Sequence, residues 1–161
     1  MLDVACGGGR HARYFAAQGH PVQAVDRDEA TLNALRGVSG VMIACADLES
    51  GPWPFTGRTF DAVVVTNYLH RPLFPQLLDA VAPGGFLIYE TFALGNARYG
   101  RPANADFLLQ PGELLNRVRG RLKVVAYEDL YVDLPKPAMV QRICAVDATI
   151  GVQAGHIDIP R

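Results

Sequence analysis

Three aspartates and a short run of glycines carry the chemistry legible in this sequence. Asp3, Ala5, Gly7 and Gly9 fall at alternate positions where a short apolar run gives way to a polar segment. Glycines at such a junction let the backbone turn sharply and leave bare main chain for a ligand to lie against. A helix beginning near Arg10 would point its first amide groups at that ligand, which suits a carboxylate or phosphate. Asp26 closes the next apolar run, where an acidic side chain can accept hydrogen bonds from ribose hydroxyls. Asp47 closes the third run, beside Leu48, and can accept from the amino group of an adenine. Tail, sugar and base of one nucleoside ligand account for all three carboxylates.

The spacing Gly7-x-Gly9-x-x-Ala12 also satisfies the dinucleotide fingerprint, so an NAD-type oxidoreductase is a competing reading. Asp3 separates the two. A carboxylate in an apolar strand is costly to bury without a partner, and a dinucleotide offers no cation there. S-adenosylmethionine does, through its ammonium group. The structural alternative for Asp3 and Asp26 is helix capping, although Asp28 is better placed than Asp26 for that role. For Asp47 the structural alternative is an ordinary turn residue, and the ligand role is the favoured of the two. Cys6 sits in the glycine loop as a small packing side chain, with nothing nearby to stabilise a thiolate.

The elements that must hold these residues alternate between strand and helix. A strand at Leu2, Val4 and Ala5 leads through the glycines to a helix over 10–18, with Ala12, Phe15 and Ala16 on one side and Gly19 as terminator. Strands follow over 22–25 and 41–45, separated by a helix that Asp28 caps and Gly37 ends. Residues 49–57 hold Gly51, Pro52 and Pro54 and read as a loop with Trp53 and Phe55 turned inward. The run 60–65 suits a strand covered on both faces. A helix with Leu73, Leu77, Leu78 and Val81 on one side stops at Pro83-Gly84-Gly85, and a fifth strand covers 86–92. The alternation implies a doubly wound parallel sheet with right-handed crossovers. A polar loop over 93–107 then breaks the rhythm, a short helix opens at Pro111, and strands over 122–127 and 139–146 close the sheet as an antiparallel pair.

Length and composition set bounds on this picture. A chain of 161 residues, half of them apolar, suits one well-packed domain. A formal net charge of −1 makes nucleic acid an unlikely main partner. The basic stretch at Arg117, Arg119, Arg121 and Lys123 reads as a solvated helix end and strand start. Cys6, Cys45 and Cys144 are scattered, with no metal-ligand spacing, so no metal site is expected and a reducing, cytoplasmic compartment is. No apolar run is long enough to span a bilayer.

The motifs resemble those of class I S-adenosylmethionine-dependent methyltransferases. Asp3 to Gly9 is similar to that family's first motif, Val22 to Asp26 to its second-strand acidic motif, and Cys45-Ala46-Asp47-Leu48 to its adenine motif. Phe60-Asp61-Ala62-Val63-Val64-Val65 and Ala82-Pro83-Gly84-Gly85-Phe86-Leu87 resemble its fourth and fifth strands. Gly9-Arg10-His11 and Phe107…Pro111-Gly112-Glu113-Leu114 look most like the small tellurite-resistance-type members. The resemblance implies an α/β fold: a doubly wound, mostly parallel seven-stranded sheet with an antiparallel last strand, in a three-layer α/β/α sandwich. It implies S-adenosyl-L-methionine as cofactor, held by Asp3, Ala5, Cys6, Gly7, Gly9, Asp26, Arg27, Asp47, Leu48 and Asn67. Two departures stand out. Ala5 replaces the commoner glycine, and the sequence as given opens at the first strand, without the helical segment that family members carry before it, through either a truncated start or a fragment. The expectation from that second departure is weak cofactor binding and an exposed apolar face.

Asn67, Tyr68 and His70 follow the fourth strand at the carboxyl edge, where doubly wound sheets place their ligands. Tyr68 and His70 are weak candidates for a catalytic role, His70 as general base or as a hydrogen-bonded structural histidine. Arg98, Tyr99 and Arg101 could form a substrate lid or be plain solvated loop. The expected activity is methyl transfer to a small-molecule acceptor by in-line displacement, in a domain over 1–147 followed by a tail over 148–161. The alternatives are the NAD-type oxidoreductase and a non-catalytic cofactor-binding module.

Overall fold

The computed structural model describes residues 1–149. The chain forms seven strands, the first four of them short and mostly apolar: β1 (Leu2–Val4), β2 (Val22–Asp26), β3 (Val41–Cys45), β4 (Phe60–Thr66), β5 (Val81–Phe92), β6 (Lys123–Val132) and β7 (Ala138–Val146). They make one sheet in the order β3-β2-β1-β4-β5-β7-β6. The first five are parallel, and β7 runs antiparallel to both β5 and β6. The order reverses between β1 and β4, so the crevice at their carboxyl ends is the topological switch point. This is the doubly wound sheet that the alternating pattern implied.

Helices α1 (Arg10–Ala17) and α2 (Glu29–Leu32) cover one face, α2 running on into a 3-10 turn at Asn33–Leu35. Ala12, Leu32 and Leu35 pack there against Val22 and Ala24. On the other face, α3 (Phe74–Asp79) and α4 (Glu113–Val118) join Phe55 over Val63, Val65, Leu87 and Tyr89. Asp28 caps α2 by accepting from the Ala30 and Thr31 N–H groups. On the first face the helices stop short of β5, where Phe86 and Ile88 remain 38% and 37% exposed.

Three boundaries differ from the sequence pattern. The third helix ends at Asp79, and Val81 opens β5 opposite Phe60. Pro83, Gly84 and Gly85 are absorbed at a register shift between Phe60 and Ala62, where a bulge tolerates turn residues inside a strand. β6 continues to Val132, because as an edge strand it is mostly exposed and its polar residues mask its length.

The 93–107 segment is not structureless. It contains 3-10 turns at Asn96–Arg98 and Ala105–Phe107, and buried amides moor it. Asn96, 1% exposed, donates to the Pro102 carbonyl and accepts from the Met139 N–H. Gln141 donates to the Gln110 carbonyl and accepts from the Leu114 N–H. Arg71 donates to the Asp106 and Leu108 carbonyls and to both oxygens of Glu113. Most of the tail expected over 148–161 lies outside the described residues.

Candidate active site

The loop between β1 and α1 is held by two carboxylates rather than by its own side chains. Gly9, at the N-cap of α1, has no side chain to offer the helix. Asp3 supplies the cap from within β1, accepting from the Ala12 N–H at 2.9 Å. It is 1% exposed, and burial pushes its carboxyl up to about 6 against the opposing pull of that amide and of Arg10. Asp26 grips the same loop from the end of β2. One of its oxygens accepts from the Gly7 N–H at 2.8 Å and the other from the Asp28 N–H at 3.0 Å.

Asp47 is likewise engaged, accepting from the Glu49 N–H and from the Ser50 hydroxyl. That hydroxyl is the main cause of its lowered pKa. A carboxylate has about four lone-pair directions, so Asp26 and Asp47 keep acceptor capacity toward a ligand. Both line a cleft of about 150 Å³ together with Ala5, Arg27, Leu48 and Tyr68. Asp3 does not line it.

Two further cavities continue from this cleft. One of about 590 Å³ follows the glycine loop, sharing Ala5 with the first and adding Cys6, Gly7, Gly8 and His11. The next, about 650 Å³, shares Arg10 and Asn67 with the second and reaches the 96–101 loop and the turn between β6 and β7. The three together run along the carboxyl edge of the sheet past the switch point. Asn67 stands at the passage from the second to the third with a left-handed φ of 55°, and Ala5, between the first and second, has φ 51°. Non-glycine residues hold that conformation at a cost of about 1–2 kcal/mol, and such strain concentrates at ligand sites.

The glycines divide by role. A Cβ on Gly7 or Gly8 would project into open space, so these two form a cradle that a ligand can occupy. A Cβ on Gly9 would meet the Leu35 side chain at 2.4 Å. Gly9 is therefore demanded by helix packing, and Gly8, which the sequence reading passed over, faces the cleft.

Among the acid–base candidates, Tyr68 lines the first cleft, but burial and then the nearby Glu49 and Asp47 push its hydroxyl up to about 12. It stays protonated at neutral pH. His70 lines none of the three cavities. His11, which the sequence reading treated only as part of a motif, lines the glycine-loop cavity with Nδ1 3.4 Å from the Thr66 hydroxyl. Its pKa is lowered by burial and by Arg10, against the pull of Glu90. Cys6 is pushed up to about 12 by burial and by Asp3 and Asp26, so its thiol stays protonated.

Tyr99 and Arg101 line the largest cavity and Arg98 does not. The Tyr99 ring rests on Tyr131 at 5.0 Å between centroids, joining the loop to the β6–β7 hairpin. In the basic stretch, Arg117 pairs with Glu113 and lies over the Phe74 ring, while Arg121 pairs with Asp79. Among the described residues, no three His, Cys, Asp or Glu side chains converge as metal ligands, and no helix is long and apolar enough to cross a membrane.

No curated protein matches the sequence. Solved structures match the fold. TehB from Haemophilus influenzae superposes with a TM-score of 0.74 at 16% identity, over 90% of this chain and 57% of its own. This chain thus spans little more than half of that protein. An S-adenosylmethionine-dependent methyltransferase from Mesorhizobium loti gives a TM-score of 0.69 at 21% identity, over 90% of this chain and 89% of its own. A TehB-like SAM-dependent methyltransferase from Corynebacterium glutamicum gives 0.64 at 18% identity, over 89% and 77%. At these identities the likeness is one of fold, the Rossmann-like α/β fold of class I methyltransferases. Family membership comes from the sequence itself. A family model described as a methyltransferase domain matches residues 1–85, more than half of the 161, and takes in the glycine loop, Asp26, Asp47 and β4. The chain belongs to the methyltransferase-domain family.

Proposed function

We propose that residues 1–147 transfer the methyl group of S-adenosylmethionine to a small-molecule acceptor by in-line displacement. The observation that carries this reading is the row of three adjoining cavities, with the cleft of Asp26 and Asp47 at one end, the glycine loop in the middle and a roomier chamber at the other end. Asp26 would hold the ribose hydroxyls, with Arg27 at its side, and Asp47 and Leu48 would face the adenine. Gly7 and Gly8 leave the main chain open to the amino-acid tail, with Asp3 behind them as the buried negative charge. When bound, S-adenosylmethionine supplies an electrophilic methyl on a sulfonium that becomes a neutral thioether as the methyl leaves.

The protein's part is then alignment and exclusion of water, with Asn67 at the passage between donor and acceptor. A proton carried by the acceptor has His11 within these cavities to receive it, with a pKa lowered from the ordinary histidine value. The oxidoreductase reading loses its support with the family match. A cytoplasmic setting fits the three free cysteines.

A thermal-shift comparison tests the reading, because a ligand that binds the native state raises its melting temperature by mass action. S-adenosylhomocysteine at about 1 mM, roughly a hundred times Kd or more, should raise Tm while NAD leaves it unchanged. A shift with NAD and none with S-adenosylhomocysteine would overturn it.

A further inference from the structure

The largest cavity has a character that donor binding does not explain. Its volume of about 650 Å³ lies within the range of small-molecule sites. Part of its wall is apolar, with Phe92 and Val140 on the sheet, Tyr99 on the loop and Leu134 on the hairpin. Its charged residues are four cations, Arg10, Arg101, Lys136 and Arg142, against one carboxylate, Glu90. Arg142 is committed to Glu90 and Glu128.

Arg10, Arg101 and Lys136 have no carboxylate at salt-bridge distance among the described residues. The nearby Asp133 instead accepts from the Tyr131 hydroxyl. In a chain of formal net charge −1, such a surplus is a property of this cavity and not of the whole surface. Clefts with one sign of charge and low-dielectric walls concentrate ligands of the opposite sign. Arg101 and Lys136 line this chamber and not the glycine-loop cavity, whereas Asn67 lines both.

We propose that the methyl acceptor is a small organic anion with an apolar, ring-sized body. Arg101 and Lys136 hold its acidic group, the apolar part of the wall takes its body, and its accepting atom faces Asn67. This rests on the methyl-transfer reading above. In the transfer the carbon–sulfur bond of the sulfonium breaks, with its electron pair staying on sulfur, and a lone pair of the acceptor forms the new bond to carbon. Any proton on the accepting atom passes to His11 or to water. The acidic group is a handle and is unchanged.

The test uses 2-naphthoate with its neutral isostere 2-naphthamide, titrated calorimetrically into the protein with and without saturating S-adenosylhomocysteine. Naphthoate should bind at least tenfold more tightly than naphthamide, and raised salt should narrow the ratio. An Arg101→Ala/Lys136→Ala variant, changed only at exposed side chains, should bring the ratio close to one. Equal affinities, preference for the amide, no binding of either probe, or an unchanged ratio in the variant would each overturn the proposal. Because the ratio is read on ligand-free protein too, it stands apart from the donor reading, which the binding of S-adenosylhomocysteine itself tests.

Discussion

The Asp26 carboxylate accepts a hydrogen bond at 2.8 Å from the backbone N–H of Gly7, nineteen residues away in the chain. The end of β2 is thereby tied to the loop that leaves β1, and the floor of the cleft is fixed before any ligand arrives. Gly9 N–H is also bonded, to the Cys6 carbonyl, whereas Gly8 projects into the open cleft. Amide hydrogen exchange followed by NMR should show Gly7 and Gly9 exchanging more slowly than Gly8. Asp26→Ala should bring Gly7 to the rate of Gly8; an unchanged Gly7 rate would mean that the carboxylate does not hold the loop.

Asp3 stands between two roles, and one substitution separates them. Its carboxyl is raised by burial from 3.8 to about 6, so the folded state binds that proton more tightly than the unfolded chain does. The ligand-free protein therefore loses stability through this group as pH rises from about 4 to about 6, and the loss is complete above that window. Asp3→Asn keeps an oxygen for the Ala12 N–H and removes the buried charge. At pH 7.5 it should raise the ligand-free Tm by about 3–8 °C, a gain on the order of 1–3 kcal/mol. The same change should weaken S-adenosylhomocysteine about tenfold. A lower Tm with unchanged affinity would make Asp3 a helix cap and nothing more.

Glu113 shows the opposite sign. Burial alone would raise its pKa, yet hydrogen bonds from Arg71, the Gln110 N–H and Arg117 bring it down to about 2 from 4.5. That stability is present above pH 4.5 and is lost as pH falls toward 2. Glu113→Gln leaves Arg71 without its countercharge and should lower stability by roughly 2–3 kcal/mol at pH 7. Urea unfolding should give a much flatter pH dependence below 4.5 in the variant than in the parent. Parallel profiles would show that the Arg71–Glu113 pair contributes nothing to holding the 93–112 segment.

Cys6 lies in the glycine loop but is no nucleophile, because burial and the nearby Asp3 and Asp26 push its thiol up to about 12. Cys45 is exposed at the end of β3. Iodoacetamide at pH 8 should therefore label Cys45 well before Cys6, as read by peptide mass spectrometry. Equal labelling would mean that the loop opens far more than its hydrogen bonds imply.

Where a residue's setting is local, the sequence was an accurate guide. Most of β2 and β4 are short apolar runs with buried residues, Val41–Cys45 is an apolar run left half-buried at the sheet edge, and Asp28 caps a helix that begins one residue later. What escaped depended on contacts distant in the chain. Nothing in Val81 or in Pro83-Gly84-Gly85 says that Phe60 will pair with this stretch and turn it into strand. That Gly9 packs on Leu35 while Gly8 faces the cleft depends on how α1 meets the turn after α2. The three aspartates were singled out for ligand contact, and all three already hold backbone or side-chain donors of their own. The cavity of about 650 Å³ was least visible, because its walls come from α1, the residue after β4, β5, the 96–101 loop and the β6–β7 hairpin, which no local pattern connects.

The whole reading turns on whether Asp26 meets a ribose in the first cleft. Affinities for S-adenosylhomocysteine and for its 2′,3′-dideoxy analogue, measured by calorimetry on the parent and on Asp26→Asn, address that point directly. The parent should prefer the hydroxylated ligand by at least about tenfold, in line with charge-assisted hydrogen bonds of about 1.5–3 kcal/mol. Asp26→Asn should lose most of that preference while staying folded. Equal affinity of the parent for the two ligands, or a preference that survives the substitution intact, would contradict the assignment of this cleft to the donor.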